Sequence, residues 1–257
     1  MGTNSGVSWT DHSWGPWAGC NKVRAGCRNC YAERQMNLWG RCFSNVRRAS
    51  KAMWRQPLAR HRDGSYVWKP GERVFVCPWS DFFHPDGDSS RPEAWRIIRL
   101  RSDLRWIILT KRVHRIAENL PEDWGDGYPQ ACLGVSVSTQ QDYEEMVPRL
   151  LAVPAACHAV SLEPMLERIV VPPVPLIDWF IIGCESGPRR RPTRHTWIEE
   201  LLEATYGMPR FLKQVAENPD GTGKVLHDSA DIAQVFGECP RELPAFFDLK
   251  TPISELI

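Results

Sequence analysis

Six short apolar runs between residues 73 and 212 constrain the fold of this 257-residue chain more than any other feature. They are rich in branched and aromatic side chains and cover residues 73–77, 106–109, 132–137, 158–162, 179–183 and 210–212. Runs that are apolar on both faces are typical of buried parallel strands. Helical patterns at 91–101, 140–151 and 196–205 fill three of the gaps, and the first is expected to bury Trp95, Ile98 and Leu100. This alternation of strand and helix predicts a parallel α/β domain.

Each apolar run is followed by polar or ionisable residues, which in a (β/α) barrel would surround a single active-site mouth. Polar residues also mark where strands leave the core of any α/β protein, so that alternative stays open. We favour the shared mouth and predict a partial (β/α) barrel of about six to seven parallel strands. The barrel is assigned to residues 1–215, with an N-terminal loop that carries cysteines. Residues 216–257 are assigned to a C-terminal cap of the same globular unit.

Three of the nine cysteines, Cys20, Cys27 and Cys30, are separated by six and two residues within a loop that contains several glycines. A loop is a poor place to bury free thiols, so the pattern favours metal ligands. In a cytosolic chain of this length the others are not needed as disulfide staples. We expect Cys42, Cys77, Cys132, Cys157 and Cys239 to be buried apolar residues. Cys184, at the mouth, is either a hydrogen donor or simply a small side chain.

The spacing of the motif bears on the identity of the metal. Structural zinc takes four ligands, usually as two close pairs, whereas this motif has one close pair. Candidate fourth ligands, Cys42, His12 and His61, stand at no recognised spacing. A [4Fe–4S] cluster on three cysteines leaves one iron open to chelate S-adenosylmethionine, and one electron then releases a 5′-deoxyadenosyl radical that abstracts a substrate hydrogen. Together with the barrel pattern, the motif favours the cluster over a zinc loop or unligated thiols.

The segment WTDHSWGPWAGCNKVRAGCRNCYAE resembles the opening of a family of phage and prophage proteins known for a three-cysteine motif and related to radical S-adenosylmethionine enzymes. The resemblance covers roughly residues 7 to 215 and continues through VFVCPWSDFFHP, WIILTKR, LGVSVSTQ, SLEPML, DWFIIGCESGPRRRP and FLKQ. Two departures stand out. The commonest radical enzymes place three residues between their first two cysteines, and the family form GGESG has its second glycine replaced by Cys184. We therefore expect that position not to require a positive φ.

The resemblance implies roles for particular residues. Cys20, Cys27 and Cys30 would hold the cluster, and Tyr31 would pack beside the cluster or the adenine. The residues implied to bind S-adenosylmethionine are Ser80, Asp81, Thr110, Lys111, Ser136 and Ser138. Glu163, Glu185 and Lys213 would face the substrate. A reductant such as flavodoxin or ferredoxin would supply the electron.

A net charge of +1 excludes binding of a polyanion by bulk charge, but not by a local patch. The segment PRRRPTR places Arg189, Arg190, Arg191 and Arg194 beside the predicted mouth. A second basic stretch comprises Arg47, Arg48, Lys51 and Arg55, interleaved with Trp54 and Trp68. Arginines with aromatic neighbours suit phosphate contact and base stacking, although short arginine runs are usually solvated surface.

The phage setting of the family points to hypermodified thymidine in DNA, a modification that evades host restriction. The predicted activity is a radical isomerase that converts an amino acid from a nitrogen-linked to a carbon-linked form on the thymine methyl carbon. The substrate would be DNA or a modified nucleoside. Two alternatives remain: a non-catalytic zinc-binding nucleic-acid module, and a metal-free barrel hydrolase that uses Asp81, His84 and Glu163. No apolar run approaches the ~18 residues of a membrane span, so we expect a cytoplasmic protein, in the host cytoplasm if phage-encoded.

Overall fold

The computed structural model describes residues 5–172 and 176–248, and within them the main sheet has eight strands, seven of them parallel. The strands are β1 (His12–Trp14), β2 (Trp17–Ala18), β3 (Arg47–Arg48), β4 (Arg73–Val76), β5 (Arg105–Thr110), β6 (Ala131–Val137), β7 (Cys157–Leu162), β8 (Trp179–Gly183), β9 (Arg210–Ala216) and β10 (Val225–Leu226). The sheet order is β1-β4-β5-β6-β7-β8-β9-β10, with β10 antiparallel to β9. β2 and β3 form a separate antiparallel ribbon. Parallel strands in chain order give the predicted partial barrel.

Helices connect and flank the parallel strands. They are α1 (Tyr31–Leu38), α2 (Lys51–Arg55), α3 (Arg91–Leu100), α4 (Gln140–Leu151), α5 (His195–Ala204) and α6 (Ser229–Phe236). Side chains spaced three and four residues apart form the buried stripe of α4: Tyr143, Met146, Val147 and Leu150. The side chain of Thr139 accepts a hydrogen bond from the backbone N–H of Asp142 and so begins that helix.

One face of the sheet changes from apolar to polar along its strands. In β6, Cys132 and Gly134 are followed on the same face by Ser136, because side chains alternate with period two. At the amino ends of the strands Trp9 covers this face, with its ring centroid 5.7 Å from that of Trp179. Phe246 from the C-terminal segment packs in the same cluster. At the amino ends of the strands this face of the sheet is therefore a packed apolar core. Its polar side chains meet at the carboxyl ends of the strands.

The C-terminal segment packs on the β9 side of the sheet. β10 pairs with the end of β9, and Arg241 forms an isolated β-bridge with Phe211. Gly237 directly follows α6 and caps its carboxyl end in the left-handed conformation, with φ +74°. The division at residue 215 stays a prediction, and positions 249–257 of the predicted cap lie outside the described residues.

The six predicted strands and three predicted helices are present, within a few residues of the expected bounds except that β9 continues to Ala216. Leu100 was expected in the core but is the last residue of α3 and is 60% exposed. Cys77, Cys132 and Cys157 are buried as expected, whereas Cys239 is half-buried and Cys42 is exposed. No helix among the described residues has the length and apolar character to cross a bilayer.

Candidate functional site

The loop between β1 and α1, residues 15–30, lies over the carboxyl end of the sheet and carries the three-cysteine motif; we call it the cysteine loop. Ser80 Oγ donates a hydrogen bond to the carbonyl of Gly19 at 2.5 Å, and the Gly19 N–H donates to the carbonyl of Trp79 at 3.0 Å. Gly19 has φ +103°, and a Cβ there would lie 2.8 Å from the carbonyl oxygen of Asn45. Only glycine fits this approach, which fixes the loop above the end of β4.

The second half of the cysteine loop is attached to the end of β6 and to α4. Arg24 donates to both carboxylate oxygens of Glu145, at 2.6 and 2.7 Å, and lies 3.5 Å from Asp142. Gly26 packs against Ser138, and a Cβ at Gly26 would stand 2.1 Å from the Ser138 hydroxyl oxygen. The Gly26 backbone is thus in direct contact with the Ser138 side chain, and the cysteine loop crosses the mouth of the sheet.

The three cysteines of the motif are free and half-buried. Cys20 and Cys30 pack beside Met36 and Phe43 at the base of α1. Burial, and then the nearby Asp81 carboxylate, raises the pKa of the Cys20 thiol to about 11, while Arg112 acts in the opposite direction. Any metal that binds Cys20 must displace its proton, since the thiolate is the ligand.

The donor atoms of the cysteine loop and its surroundings determine which metal group the site could hold. Among residues 5–172 and 176–248, no three His, Cys, Asp or Glu side chains are arranged to hold a single ion. An iron–sulfur cluster binds each thiolate at a different iron, so its cysteines need not converge on one point. Ser138 Oγ and Arg112 Nε are buried without a partner beside the cysteine loop. Three half-buried thiols and unpaired polar atoms at one strand-end mouth therefore fit the cluster chemically.

Asp81 joins the ends of β4 and β5. Its Oδ1 accepts hydrogen bonds from the Thr110 hydroxyl at 2.7 Å and from the Phe83 N–H at 2.9 Å. Its Oδ2 accepts from the Lys111 N–H at 3.0 Å, and Thr110 in turn accepts from the Arg112 N–H at 2.9 Å. Asp81, Thr110 and Ser80, all predicted to bind a cofactor, are thus engaged in holding the scaffold of the site.

Lys111, Ser136, Ser138 and Tyr31, the other predicted cofactor contacts, lie at the same mouth. The Lys111 side chain runs past Gly26, and both serines are buried at the end of β6. The Tyr31 side chain is partly exposed, but its hydroxyl is turned inward and donates to the carbonyl of Pro78 at 2.5 Å. Burial of that hydroxyl, then the proximity of Cys30 and Glu163, raises the pKa of Tyr31.

Glu163, directly after β7, and Lys213, in the middle of β9, form an ion pair of 2.9 Å beside the end of β8. Cys184, which follows β8, is buried beside them; burial raises the pKa of its thiol to about 12, and Glu163 adds to the effect while Arg190 opposes it. Among the described residues Cys77 alone combines a side chain with a positive φ, so Cys184 needs no glycine conformation, as expected. The structure therefore brings three of the four predicted catalytic residues together.

Glu185, the fourth predicted catalytic residue, forms structural hydrogen bonds instead. It accepts from Asn29 Nδ2 at 2.9 Å and from the Arg191 backbone N–H and Nε at 2.8 and 3.0 Å. Burial acts to raise its pKa, but these hydrogen bonds outweigh burial and leave the pKa below its ordinary value. Glu185 thereby ties the cysteine loop to the segment after β8, while its charge is neutralised by Arg191.

The predicted nucleic-acid arginines divide into two pairs. Arg190 donates to the carbonyls of Gly221, at 2.6 Å, and Gly223, and Arg191 is held by Glu185. Arg189 and Arg194 are exposed, and Arg194 lies over the Trp197 ring at 5.8 Å. Half of the basic segment therefore serves internal packing.

The second basic stretch differs more from expectation. Trp54 and Trp68 are each 3% exposed, so neither can stack on a base. Arg48 covers the Trp54 ring at 3.8 Å and is paired with Glu93 at 2.5 Å.

The residues that sequence reasoning missed are Arg24, Asn29 and Arg112, which hold the cysteine loop. Their positions in the sequence could have indicated this role, because Arg24 and Asn29 lie within the cysteine motif and Arg112 directly follows Lys111 in WIILTKR.

Comparisons with known proteins agree with this architecture. The model of the family described as "Protein of unknown function (DUF5131)" matches residues 4–236. No curated protein matches the chain in sequence. A solved structure of a mutant spore photoproduct lyase with dinucleoside spore photoproduct is similar, with a TM-score of 0.51, 11% identity, and coverage of 92% of this chain and 75% of that one. Another, spore photoproduct lyase complexed with dinucleoside spore photoproduct, has a TM-score of 0.48, 10% identity and the same coverage, 92% and 75%. At this identity the first likeness shows a shared fold and confirms the predicted α/β class.

Proposed function

Because the chain belongs to the family described as "Protein of unknown function (DUF5131)", whose description assigns no activity, we propose a function from its own residues. We propose a radical S-adenosylmethionine enzyme that carries a [4Fe–4S] cluster and acts on modified thymidine in DNA. One observation carries the proposal: the loop with Cys20, Cys27 and Cys30 lies across the carboxyl ends of the parallel strands, at the same mouth as the Glu163–Lys213 pair. The fold is shared with a spore photoproduct lyase whose structure contains a dinucleoside, and this likeness supports a nucleoside substrate.

Cys20, Cys27 and Cys30 would hold the cluster, with its fourth iron left for S-adenosylmethionine. When bound, the cluster would supply the single electron needed to cleave the sulfonium of S-adenosylmethionine, and thereby a radical able to take a hydrogen atom from the substrate. Arg112, whose guanidinium is buried next to Cys20, would balance the negative charge of the thiolates. A flavodoxin- or ferredoxin-type protein would deliver the electron.

The polar residues of β5 and β6 would bind S-adenosylmethionine. Ser138 Oγ, buried without a partner, can donate to a carboxylate or ribose oxygen, and the Lys111 ammonium can neutralise a carboxylate. Ser136 would add a hydroxyl to the same surface. Asp81 and Thr110 would position the backbone that carries Lys111 and Arg112, rather than contact the cofactor themselves.

The Glu163–Lys213 pair would recognise the substrate. An amino acid attached to thymine carries an ammonium or amine and a carboxylate, which complement Glu163 and Lys213 respectively. Cys184 stays protonated near neutral pH, since burial raises the pKa of its thiol to about 12, and it can return a hydrogen atom to the rearranged substrate radical. The thiyl radical left on Cys184 would then be reduced by one electron from the flavodoxin- or ferredoxin-type protein and one proton. The net reaction would be an isomerisation: a C–H bond of the amino acid and its C–N bond to the thymine methyl carbon break, while a C–C bond and an N–H bond form. In a phage such a base would protect DNA from host nucleases.

The proposal is tested by anaerobic incubation of the reconstituted protein with dithionite, S-adenosylmethionine and DNA that contains thymidine with a nitrogen-linked amino acid. We expect 5′-deoxyadenosine to form and a new nucleoside of unchanged mass to appear. Cys27→Ala should abolish both products, and DNA with ordinary thymidine should give no new nucleoside. Full turnover by Cys27→Ala would refute the proposal and favour a reaction that does not use the cysteine motif.

The metal-free hydrolase finds less support in the geometry. The Asp81 carboxylate, one of its predicted catalytic groups, accepts three hydrogen bonds from residues at the ends of β4 and β5. The Glu163 carboxylate, another, forms an ion pair with Lys213. The third, His84, is buried, and burial together with Arg112 lowers its pKa. Neither carboxylate is free to activate a water molecule as the hydrolase would require.

A further inference from the structure

A groove of about 780 Å³ opens beside the cysteine loop, and no proposed function above uses it. We call it the Arg47 groove; it is lined by Trp39, Arg41, Cys42, Arg47 and Arg48 together with small and apolar side chains. Its lining within the described chain contains no Asp or Glu. The groove is therefore positively charged and partly aromatic, which is a combination that suits a polyanion with planar groups.

The Arg47 groove is built onto the cysteine loop. The ribbon of β2 and β3 forms its floor, with Ala18 opposite Arg47 in register. The backbone N–H of Cys20 donates to the carbonyl of Phe43 at 2.8 Å, next to the groove-lining Cys42. A ligand in the groove would thus lie within a residue or two of the first cysteine of the motif.

A row of aromatic rings connects the groove with the mouth of the sheet. The Trp39 and Trp79 centroids are 5.2 Å apart, and the Trp79 and Tyr31 centroids are 5.8 Å apart, both edge-to-face. Trp39 is 49% exposed and Tyr31 43% exposed, and Trp79 between them is half-buried, so all three rings are partly accessible to solvent. Partly exposed aromatic side chains in a row offer surfaces on which successive bases can stack.

The charges in the groove are available for a ligand. No carboxylate of the described residues pairs with Arg41 or Arg47, whereas Arg48 is neutralised by Glu93. The Arg41 guanidinium lies 5.7 Å from the centroid of the Trp39 ring, which places a cation beside a stacking surface. In PRRRPTR, by contrast, Arg190 and Arg191 are bound to the protein itself.

We propose that the Arg47 groove and the row Trp39–Trp79–Tyr31 bind the single DNA strand that flanks the target base, with phosphates on Arg41 and Arg47 and bases on the rings. The proposal rests on the proposed function, since the mouth must receive a base that has left the duplex. An acidic protein would also match the arginines, but it would not need a row of aromatic rings that leads to the mouth.

The first test measures binding of the reconstituted protein to a fluorescent thymidine-rich single-stranded oligonucleotide by anisotropy, over a series of salt concentrations. Arg41→Ala/Arg47→Ala should weaken binding at least tenfold and reduce the salt slope by about 1.4, because two phosphate contacts are lost. Trp39→Ala should weaken binding at least about fivefold with the slope unchanged, because stacking is not ionic. Arg62→Ala/Arg96→Ala, which removes two exposed arginines outside the groove, is the charge-matched control and should bind like the wild type.

The second test uses Cys42, which is exposed in the groove and carries a pKa lowered by hydrogen bonds from Ser44. The oligonucleotide should slow maleimide labelling of Cys42 at least fivefold, measured by mass spectrometry, while labelling of the half-buried Cys239 is unchanged. Equal binding by the wild type and both groove variants, or no protection of Cys42, would overturn the proposal. Protection by an acidic flavodoxin but not by DNA would assign the groove to the reductant instead. Groove binding without formation of 5′-deoxyadenosine would leave the groove standing and reject the proposed function.

Discussion

Glu163 and Lys213 form a 2.9 Å ion pair that spans the end of β8, and Gly183 of that strand leaves the space in which it lies. A Cβ at Gly183 would stand 2.6 Å from Glu163 Oε1, too close for a real contact. Ser161 also donates to the Glu163 carboxylate, at 3.4 Å. The pair is therefore set by three neighbouring strands of the sheet, and its geometry depends on a position without a side chain.

Gly183→Ala should displace the Glu163 carboxylate without affecting the cysteine loop. Since Glu163 is a flexible side chain, the fold should survive, but the ion pair should be misaligned and nucleoside isomerisation should fall at least tenfold. The iron content and the formation of 5′-deoxyadenosine are measured in parallel and should stay near wild-type levels. Gly6→Ala, where a Cβ meets nothing within 4 Å, is the control. Wild-type isomerisation by Gly183→Ala would contradict the substrate role of the pair.

Gly26→Ala should detach the cysteine loop from the end of β6. The new methyl group would stand 2.1 Å from Ser138 Oγ, so the loop must move and iron retention after reconstitution should fall by at least half. Combining the change with Ser138→Ala removes the clashing oxygen and leaves a contact of 3.1 Å to the Ser138 Cβ, which a small shift can absorb. The double variant should regain iron relative to Gly26→Ala. Failure to regain it would mean that the contact does not position the loop.

Asp81→Asn should lower the free energy of unfolding by about 1–3 kcal/mol, because an amide nitrogen cannot accept the hydrogen bonds that a carboxylate oxygen accepts. The bonds at risk come from Thr110 and from the Lys111 N–H. Denaturant unfolding measures the change, with Asp126→Asn at an exposed site as the control. An unchanged midpoint would show that the network of Asp81 does not stabilise the fold.

The Glu185 network should make stability depend on acid pH. The pKa of Glu185 is lower in the folded protein, so its contribution is complete above the unfolded value of about 4.3 and is lost as pH falls through the folded value. Glu185→Gln should therefore be less stable than wild type at pH 7, and the difference should shrink below about pH 4. Chemical unfolding at several pH values measures it, with exposed Glu199→Gln for comparison. A difference that is constant with pH would contradict the ionised role of Glu185.

The sequence predicted the central strands because each is a continuous apolar run and each ends in polar residues. It did not predict β1, β2 or β3, which are two or three residues long and lie among tryptophans and glycines without a period. The helix α1 was missed because the cysteine motif, rather than an apolar stripe, marks its start.

The sequence could not predict which side chains bind each other, for a different reason. Glu185 and Arg191 are six residues apart, and nothing local shows that they bind each other rather than a substrate. Trp54 is buried under Arg48, although its basic neighbours suggested a stacking surface. Such pairings depend on how distant segments pack, and composition carries no information about them.

The cysteine motif is tested most directly by anaerobic reconstitution with iron and sulfide, followed by visible absorption spectra with and without S-adenosylmethionine. Cys27→Ala is compared with Cys42→Ala, an exposed cysteine outside the motif. We predict a brown wild-type protein whose cluster spectrum responds to S-adenosylmethionine, an unchanged Cys42→Ala variant, and a lost or weakened cluster in Cys27→Ala. A colourless wild-type protein that binds zinc and ignores S-adenosylmethionine would contradict the radical mechanism.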